Sequence, residues 1–330
     1  MTGSNGGLGL EAARHFARLG AARLILACRS TERAEAAKAD IERSLLGTAA
    51  ASATVVEVWP LDLCSFESVR AFGRRAEAEL ERLDVLLANA AILTLNCRMA
   101  EGYEMQVTTN VISTFLLVLM LLPVMKRTAA RWNVETAVTV VASEAHLFVS
   151  YPCLLATSSV CPCSPCCFWQ TRFVEQDQPN IFESFRPGGA MHDRYGTTKL
   201  LDILIVQELA ARLDAASAGA SPVVVNTANP GLCQSDLFRD LFFIGKWFFD
   251  LGLLLFGRTS EQGSRAFTSA IAGGRESHGK YMDGGQVETP SRFVLSEKGK
   301  TVQKKVWDEL MEILEGIEPG ITANVARASS

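Results

Sequence analysis

The chain opens on a glycine run, Thr2-Gly3-Ser4-Asn5-Gly6-Gly7-Leu8-Gly9, and an orderly alternation of apolar runs and amphipathic stretches follows it. Glycine lets a backbone turn tightly and come close to a ligand. Ahead of a helix, such a turn brings a phosphate to the helix N-terminus. Residues 10–19 carry apolar side chains at helical spacing and stop at Gly20, a fitting helix end. Residues 23–27 then read as a buried strand, 31–46 as a helix with a charged face, 54–59 as a strand leading into Leu61-Asp62-Leu63, and 65–82 as a helix. The rhythm continues with a strand at 85–88 leading into Asn89-Ala90-Ala91, a long apolar helix at 103–126 with Pro123 near its end, and a strand at 137–142 that delivers Ser143. A helix at 195–213 and a strand at 222–227, ending at Asn229-Pro230-Gly231, complete it. Strands alternating with helices predict an α/β fold on a parallel sheet. No internal repeat is apparent, and residues 1–330 read as one domain.

Only Met1 stands before the glycine run. A glycine fingerprint of this kind has its meaning between a strand and a helix. The expectation is therefore a sheet that lacks its first, central strand, as an N-terminally truncated gene model would. Such a chain is expected to be poorly soluble and weak in nucleotide binding.

Nearly half the residues are apolar, enough for a large core. The net charge of −4, the pI near 5.7 and the lack of a Lys/Arg-rich run argue against nucleic acid as a partner. The opening is a polar turn and not a charged then apolar leader. The nine cysteines then read as reduced thiols of a cytoplasmic protein. Residues 241–256 are rich in Leu and Phe, but Lys246 and Asp250 interrupt them. The stretch is also shorter than the roughly 20 residues a spanning helix needs. It reads as a buried or interfacial helix, or as part of a substrate lid over about 232–258. This predicts no transmembrane span and leaves peripheral membrane contact and homo-oligomerisation open.

Residues 150–187 break the rhythm, with Cys153, Cys161, Cys163, Cys166 and Cys167 among prolines and little periodicity. Thiolates at such spacing can bind zinc, but there is no second paired cluster and no well-spaced histidine. The expectation is a Cys/Pro-rich surface insertion with no metal; a retained intron would look the same.

The chemistry is carried by Tyr195-Gly196-Thr197-Thr198-Lys199. Residues four apart share a helix face, so the Lys199 ammonium is expected near the Tyr195 hydroxyl. A nearby positive charge favours the phenolate and lowers the tyrosine from its ordinary value of about 10. Such a tyrosine can exchange a proton with a substrate oxygen. With a phosphate-cradling turn in the same chain, that proton transfer is expected to accompany hydride transfer involving a nicotinamide.

These residues, in this order, resemble the short-chain dehydrogenase/reductase family over most of the chain. Its Thr-Gly-x-x-x-Gly-x-Gly motif is matched by Thr2, Gly3, Gly7 and Gly9. Ala88-Asn89-Ala90-Ala91 stands for its Asn-Asn-Ala-Gly segment, differing at the first and last positions. Asn110 matches its helical asparagine, Ser143 its serine, Tyr195 and Lys199 its tyrosine and lysine, and Pro230-Gly231 its Pro-Gly loop. Ala27-Cys28-Arg29-Ser30, the long gap from Ser143 to Tyr195, and the tail from Gly279 to Trp307 are most similar to retinol-dehydrogenase-like members and to secondary-metabolism reductases of filamentous fungi.

The resemblance implies a Rossmann-type doubly wound parallel sheet and a set of roles. Tyr195 would be the acid in reduction and the base in oxidation. Lys199 would lower its pKa and hold the nicotinamide ribose. Ser143 would hydrogen-bond the substrate oxygen, and Asn110 would support a water that relays protons to Lys199. Gly3, Ser4, Asn5, Gly7, Leu8, Gly9, Asp62, Asn89, Pro230 and Gly231 would join Tyr195 and Lys199 in holding the dinucleotide. Asp62 reads either as a neighbour of the adenine ring or as a helix cap, and His146 as a satisfied structural histidine.

An acidic residue at the end of the second strand selects NAD by binding the ribose 2'-hydroxyl. Here Cys28 and Arg29 occupy that point, and an arginine suits a phosphate dianion, so NADP(H) is expected. The aromatic run after Pro230-Gly231 suits a bulky apolar substrate. The reading is an NADP(H)-dependent oxidoreductase interconverting a carbonyl and an alcohol. The alternative, favoured by the missing strand and the foreign insertion, is a non-catalytic relative that binds nucleotide or a protein partner.

Overall fold

A computed structural model describes residues 1–48, 53–149, 173–185, 191–234, 237 and 257–326. Its strands are β1 (Arg23–Cys28), β2 (Val55–Pro60), β3 (Val85–Ala88), β4 (Met99–Ala100), β5 (Tyr103–Glu104), β6 (Thr136–Val141), β7 (Val223–Asn229), β8 (Tyr281–Asp283) and β9 (Gln286–Glu288). β4 and β5 form a small antiparallel hairpin. β1 and β2 pair in parallel. β3, β6, β7 and β8 form a second parallel run, with β9 antiparallel at its edge.

Met1–Gly3 fills the seam between these two pieces. Thr2 bridges Ala27 in parallel. The Ala27 N–H donates to the Met1 carbonyl at 2.9 Å and the Gly3 N–H to the Ala27 carbonyl at 3.0 Å. On the other side the Thr2 N–H donates to the Leu87 carbonyl at 3.0 Å. The order is thus β2-β1-(Met1–Gly3)-β3-β6-β7-β8-β9, a doubly wound α/β sheet in which Met1–Gly3 holds the central position.

The main helices are α1 (Gly7–Arg18), α2 (Thr31–Leu45), α3 (Phe66–Glu79), α4 (Met105–Trp132), α5 (Met191–Ala216), α6 (Ser260–Ala272) and α7 (Glu297–Ile317). Ser30, Ser65, Thr259 and Ser296 cap α2, α3, α6 and α7 through their side-chain oxygens, each worth about 1 kcal/mol. α5 begins at Met191, before the expected start at Tyr195, so the tyrosine lies inside a regular helix. One face of the sheet buries Val138, Val140, Val223 and Val225 with residues of α3, α4, α5 and α7. The other buries Leu26, Leu87, Val141 and Ala228 with residues of α1, α2 and α6.

α4 is long and apolar enough to cross a membrane, but 89% of its most apolar window is buried inside the protein. Within it Thr108–Ile112 forms a π-turn, a local irregularity that often marks functional positions.

The expected surface insertion ends differently. Phe173, Phe182 and Phe185 are buried in the main core. Phe173 stacks on Phe185 at 6.5 Å between ring centroids. The Glu309 carboxylate on α7 accepts from the Ile181 N–H at 2.7 Å and the Phe182 N–H at 3.1 Å. Burial of three aromatic rings anchors this segment against the body, while Val174 and residues 177–180 between them stay exposed. The five cysteines of the insertion and residues 241–256 lie outside the described residues.

Candidate active site

A cavity of about 330 Å³ opens where β1, β2, β3, β6 and β7 end, the crevice in which such sheets hold ligands. Its wall includes Gly3, Asn5, Gly7, Leu8 and Gly9 of the opening turn, Arg29 and Asp62 after β1 and β2, and Asn89 after β3. Ser143, Tyr195, Lys199, Pro230 and Gly231 line the rest. Ser4 and Asn110 do not reach it. Ser4 is buried and turned inward, its hydroxyl 3.4 Å from the Met1 carbonyl and 3.6 Å from the Cys28 sulfur.

The turn is built by contact. A Cβ on Gly9 would lie 2.2 Å from the Gly3 carbonyl oxygen, and one on Gly3 would lie 2.9 Å from the Ala90 Cα. Gly3 also has φ near +63°, a conformation that favours glycine. The Asn89 amide donates to the Thr2 and Gly3 carbonyls at 3.0 and 3.1 Å. The Thr2 hydroxyl accepts from the Asn89 and Ala90 N–H groups at 3.0 and 2.9 Å. Asn89 therefore acts by shaping the turn. No side chain caps the N-terminus of α1. Its free N–H groups and helix dipole meet the cavity at Gly7, Leu8 and Gly9, which fits a pyrophosphate.

At the end of the cavity beside α2 a further basic residue stands on the wall. Arg33 joins Arg29 and Ser30 on the wall, and the Ser30 hydroxyl accepts from the Arg33 N–H at 3.3 Å. The i, i+4 arginines across the start of α2 were the available signal. Asp62 does not cap α3, a role taken by Ser65. Its Oδ1 accepts from the Cys64 N–H at 2.9 Å, which turns the chain at the cavity rim.

At the opposite end Ser143 leaves β6 extended and opens a short 3-10 turn, Glu144–Phe148. Tyr195 faces it from α5. Burial raises the Tyr195 hydroxyl above its usual value and Asp202 adds to this, while Lys199 and a hydrogen bond with Ser143 oppose it. The expected lowering by Lys199 is thus reversed: taking the phenolate out of water costs more than the ammonium returns. Lys199 Nζ sits 5.8 Å from the centre of the Tyr195 ring.

Asn110 lies in the π-turn. Its Oδ1 accepts from the Ile92 N–H at 2.9 Å, and its Nδ2 donates to the Ile92 carbonyl at 3.0 Å and to the Thr198 hydroxyl at 3.1 Å. The side chain ties the loop after β3 to α5 and touches Lys199 nowhere among these contacts. His146 is fully buried, its Nδ1 2.6 Å from the Ser143 carbonyl and its Nε2 accepting from the Ser291 N–H at 3.2 Å. Burial lowers it to about 4, so it is a neutral structural strut beneath the Ser143 turn. The Cys233 thiol, also on the wall, is pushed up to about 11 by burial and is inert as a nucleophile at neutral pH.

The family model for short chain dehydrogenase matches residues 1–151. The short chain dehydrogenase/reductase dmxR8 of Cryptosporiopsis sp. (strain 8999) is 39% identical over 98% of this chain and 92% of its own length. The short-chain dehydrogenase anuD of Penicillium roqueforti (strain FM164) is 37% identical over 97% of this chain and 78% of its own. Among solved structures, Pseudomonas aeruginosa RhlG in its NADP active-site complex superposes with a TM-score of 0.59 at 19% identity, covering 86% of this chain and 92% of that one. NADPH-bound carbonyl reductase from chicken fatty liver superposes at 0.57 and 17%, covering 87% and 96%. With the glycine turn at one end of the cavity and Ser143, Tyr195 and Lys199 at the other, the chain belongs to the short-chain dehydrogenase/reductase family.

Proposed function

We propose that this protein is an NADP(H)-dependent reductase, working in the cytosol, that interconverts a carbonyl and an alcohol on a bulky apolar small molecule of fungal secondary metabolism. The observation that carries the reading is the shared cavity: Ser143, Tyr195 and Lys199 stand on one wall while the uncapped start of α1 and the Arg29–Arg33 pair stand on the other. A nicotinamide dinucleotide would supply the hydride. Gly7, Leu8 and Gly9 would hold its pyrophosphate, and Arg29 and Arg33 would face a 2'-phosphate. The Tyr195 hydroxyl, protonated at neutral pH, would give its proton to a substrate oxygen, and the Ser143 hydroxyl would hold that oxygen as charge develops. Ile92, Leu232 and Leu237 on the wall support an apolar substrate.

The test is turnover of NADPH with a panel of aryl and polycyclic ketones, beside Tyr195→Phe. The variant is expected to bind NADPH and to lose about 10²–10⁴-fold in rate. Parental turnover by Tyr195→Phe overturns the reading.

A further inference from the structure

The Lys199 ammonium is held from below. Nζ donates to the Val141 carbonyl at 2.8 Å and to Asp202 Oδ2 at 3.0 Å. Asp202 lies one turn further along α5 and is fully buried, and Lys199 is 3% exposed. The second carboxylate oxygen, Oδ1, has no hydrogen-bond partner among the described residues. The local run is Leu200-Leu201-Asp202-Ile203-Leu204. An aliphatic residue at 202 would extend the core that Leu200, Leu201, Ile203 and Leu204 already fill. Replacing a buried ion pair by apolar groups is often neutral or stabilising, so packing alone gives a carboxylate no reason to be here.

We propose that Asp202 is a positioning residue for proton transfer: its carboxylate keeps Lys199 charged in a dry site and so maintains the positive charge beside Tyr195. This rests on the reading of Tyr195 and Lys199 as the proton-transfer pair. A fully buried lysine without a counter-charge gives up its proton far below its ordinary value. Here burial is the largest influence on Lys199 and acts in that direction, yet Asp202 and Tyr195 outweigh it and the ammonium is held above its usual range. Burial raises Asp202 itself to about 6 against the pull of Lys199, so the pair is charged at neutral pH. Several other ionisable groups around α5, among the described residues, face partners of their own. Glu104 of β5 faces Arg194. On the turn after β6, Glu144 answers to Asp283 and Arg258, and His146 is neutral. Glu208 further along α5 pairs with Arg212 and accepts from Gln303 of α7.

The experiment follows the Lys199 side chain by lysine-selective NMR titration in the full-length protein, its signal assigned by loss in Lys199→Met. It is run beside the pH profile of ketone reduction. Asp202→Asn is expected to lower the Lys199 midpoint by at least about one pH unit, and the pH profile of kcat is expected to shift with it. Asp202→Leu, which suits the surrounding core, is expected to do likewise and serves if the Asn variant folds poorly. Asp202→Glu is expected to restore both toward the parent. A folded variant without the carboxylate that keeps the parental Lys199 titration and profile overturns the proposal. Loss of turnover in Tyr195→Phe together with a Lys199 titration unmoved in folded Asp202→Asn or Asp202→Leu removes only the role of Asp202. Parental turnover in Tyr195→Phe removes both readings.

Discussion

Gly196 lies against the Ser143 turn: a Cβ added there would sit 3.1 Å from the Ala145 carbonyl oxygen and 3.1 Å from Val149 Cγ2. The helix that carries Tyr195 thus packs tightly on the turn that carries Ser143, with no side chain on the next residue. Gly196→Val is expected to push the two apart. A displacement of about 1 Å at reacting groups costs on the order of 10²-fold in turnover, while affinity for the dinucleotide is expected to change little. Kinetics and cofactor titration on the folded variant check this. Parental turnover would show that the close approach does not position Tyr195.

The arginine pair makes a second prediction. A hydrogen bond to a charged group contributes about 1.5–3 kcal/mol, roughly ten- to hundred-fold in affinity. Arg29→Ala and Arg33→Ala are each expected to weaken NADPH binding by that factor and to leave NADH binding nearly unchanged. Fluorescence titration of both cofactors decides, and equal losses for the two would rule out a 2'-phosphate contact.

Buried histidine predicts acid sensitivity. Burial holds His146 at about 4, against an ordinary 6.5. As pH falls, the unfolded chain takes up this proton first. Stability is therefore complete above about pH 6.5 and drains away toward pH 4, by at most about 1.4 kcal/mol per pH unit. His278, also lowered by burial, acts in the same direction. The thermal midpoint of the parent is expected to fall from pH 7.5 to pH 5, and His146→Gln to flatten part of that slope. An unchanged slope would place the sensitivity elsewhere.

Much of this was legible in local pattern. The alternation of elements, the glycine turn and the Tyr195–Lys199 spacing depend on neighbours in the chain, and the structure has them as expected. What escaped depends on what packs from afar. The inward turn of Ser4, the burial of Phe173 and Phe185, and the rise of Tyr195 are all set by desolvation from distant segments, to which spacing is blind. Asp202, three residues past a lysine, reads from pattern as one more i, i+3 pair on a solvated face. Only burial distinguishes it.

The seam held by Met1–Gly3 supports a fourth prediction. The Met1 ammonium donates to the Ile25 carbonyl at 2.9 Å, and burial lowers it to about 6. Adding four apolar, strand-forming residues ahead of Met1 would turn that buried amine into an amide, keep its hydrogen bond and lengthen the strand between β1 and β3. At about 1.5–3 kcal/mol per buried side chain, the gain is on the order of 6–12 kcal/mol as an upper bound. A higher thermal midpoint and higher soluble yield are expected. An unchanged midpoint would show that the space between β1 and β3 is already filled.

The turn after Met1–Gly3 is also a joint between two half-sheets. A dinucleotide reaching from Arg29 to Ser143 would span the joint and fasten one half to the other. At a hundred times its dissociation constant such a ligand adds about 2.7 kcal/mol, a large share of the 5–15 kcal/mol that holds a typical domain folded. A cell's proteases remove what is unfolded. The amount of this enzyme in a cell would then rise and fall with the supply of its own coenzyme, before any substrate is made.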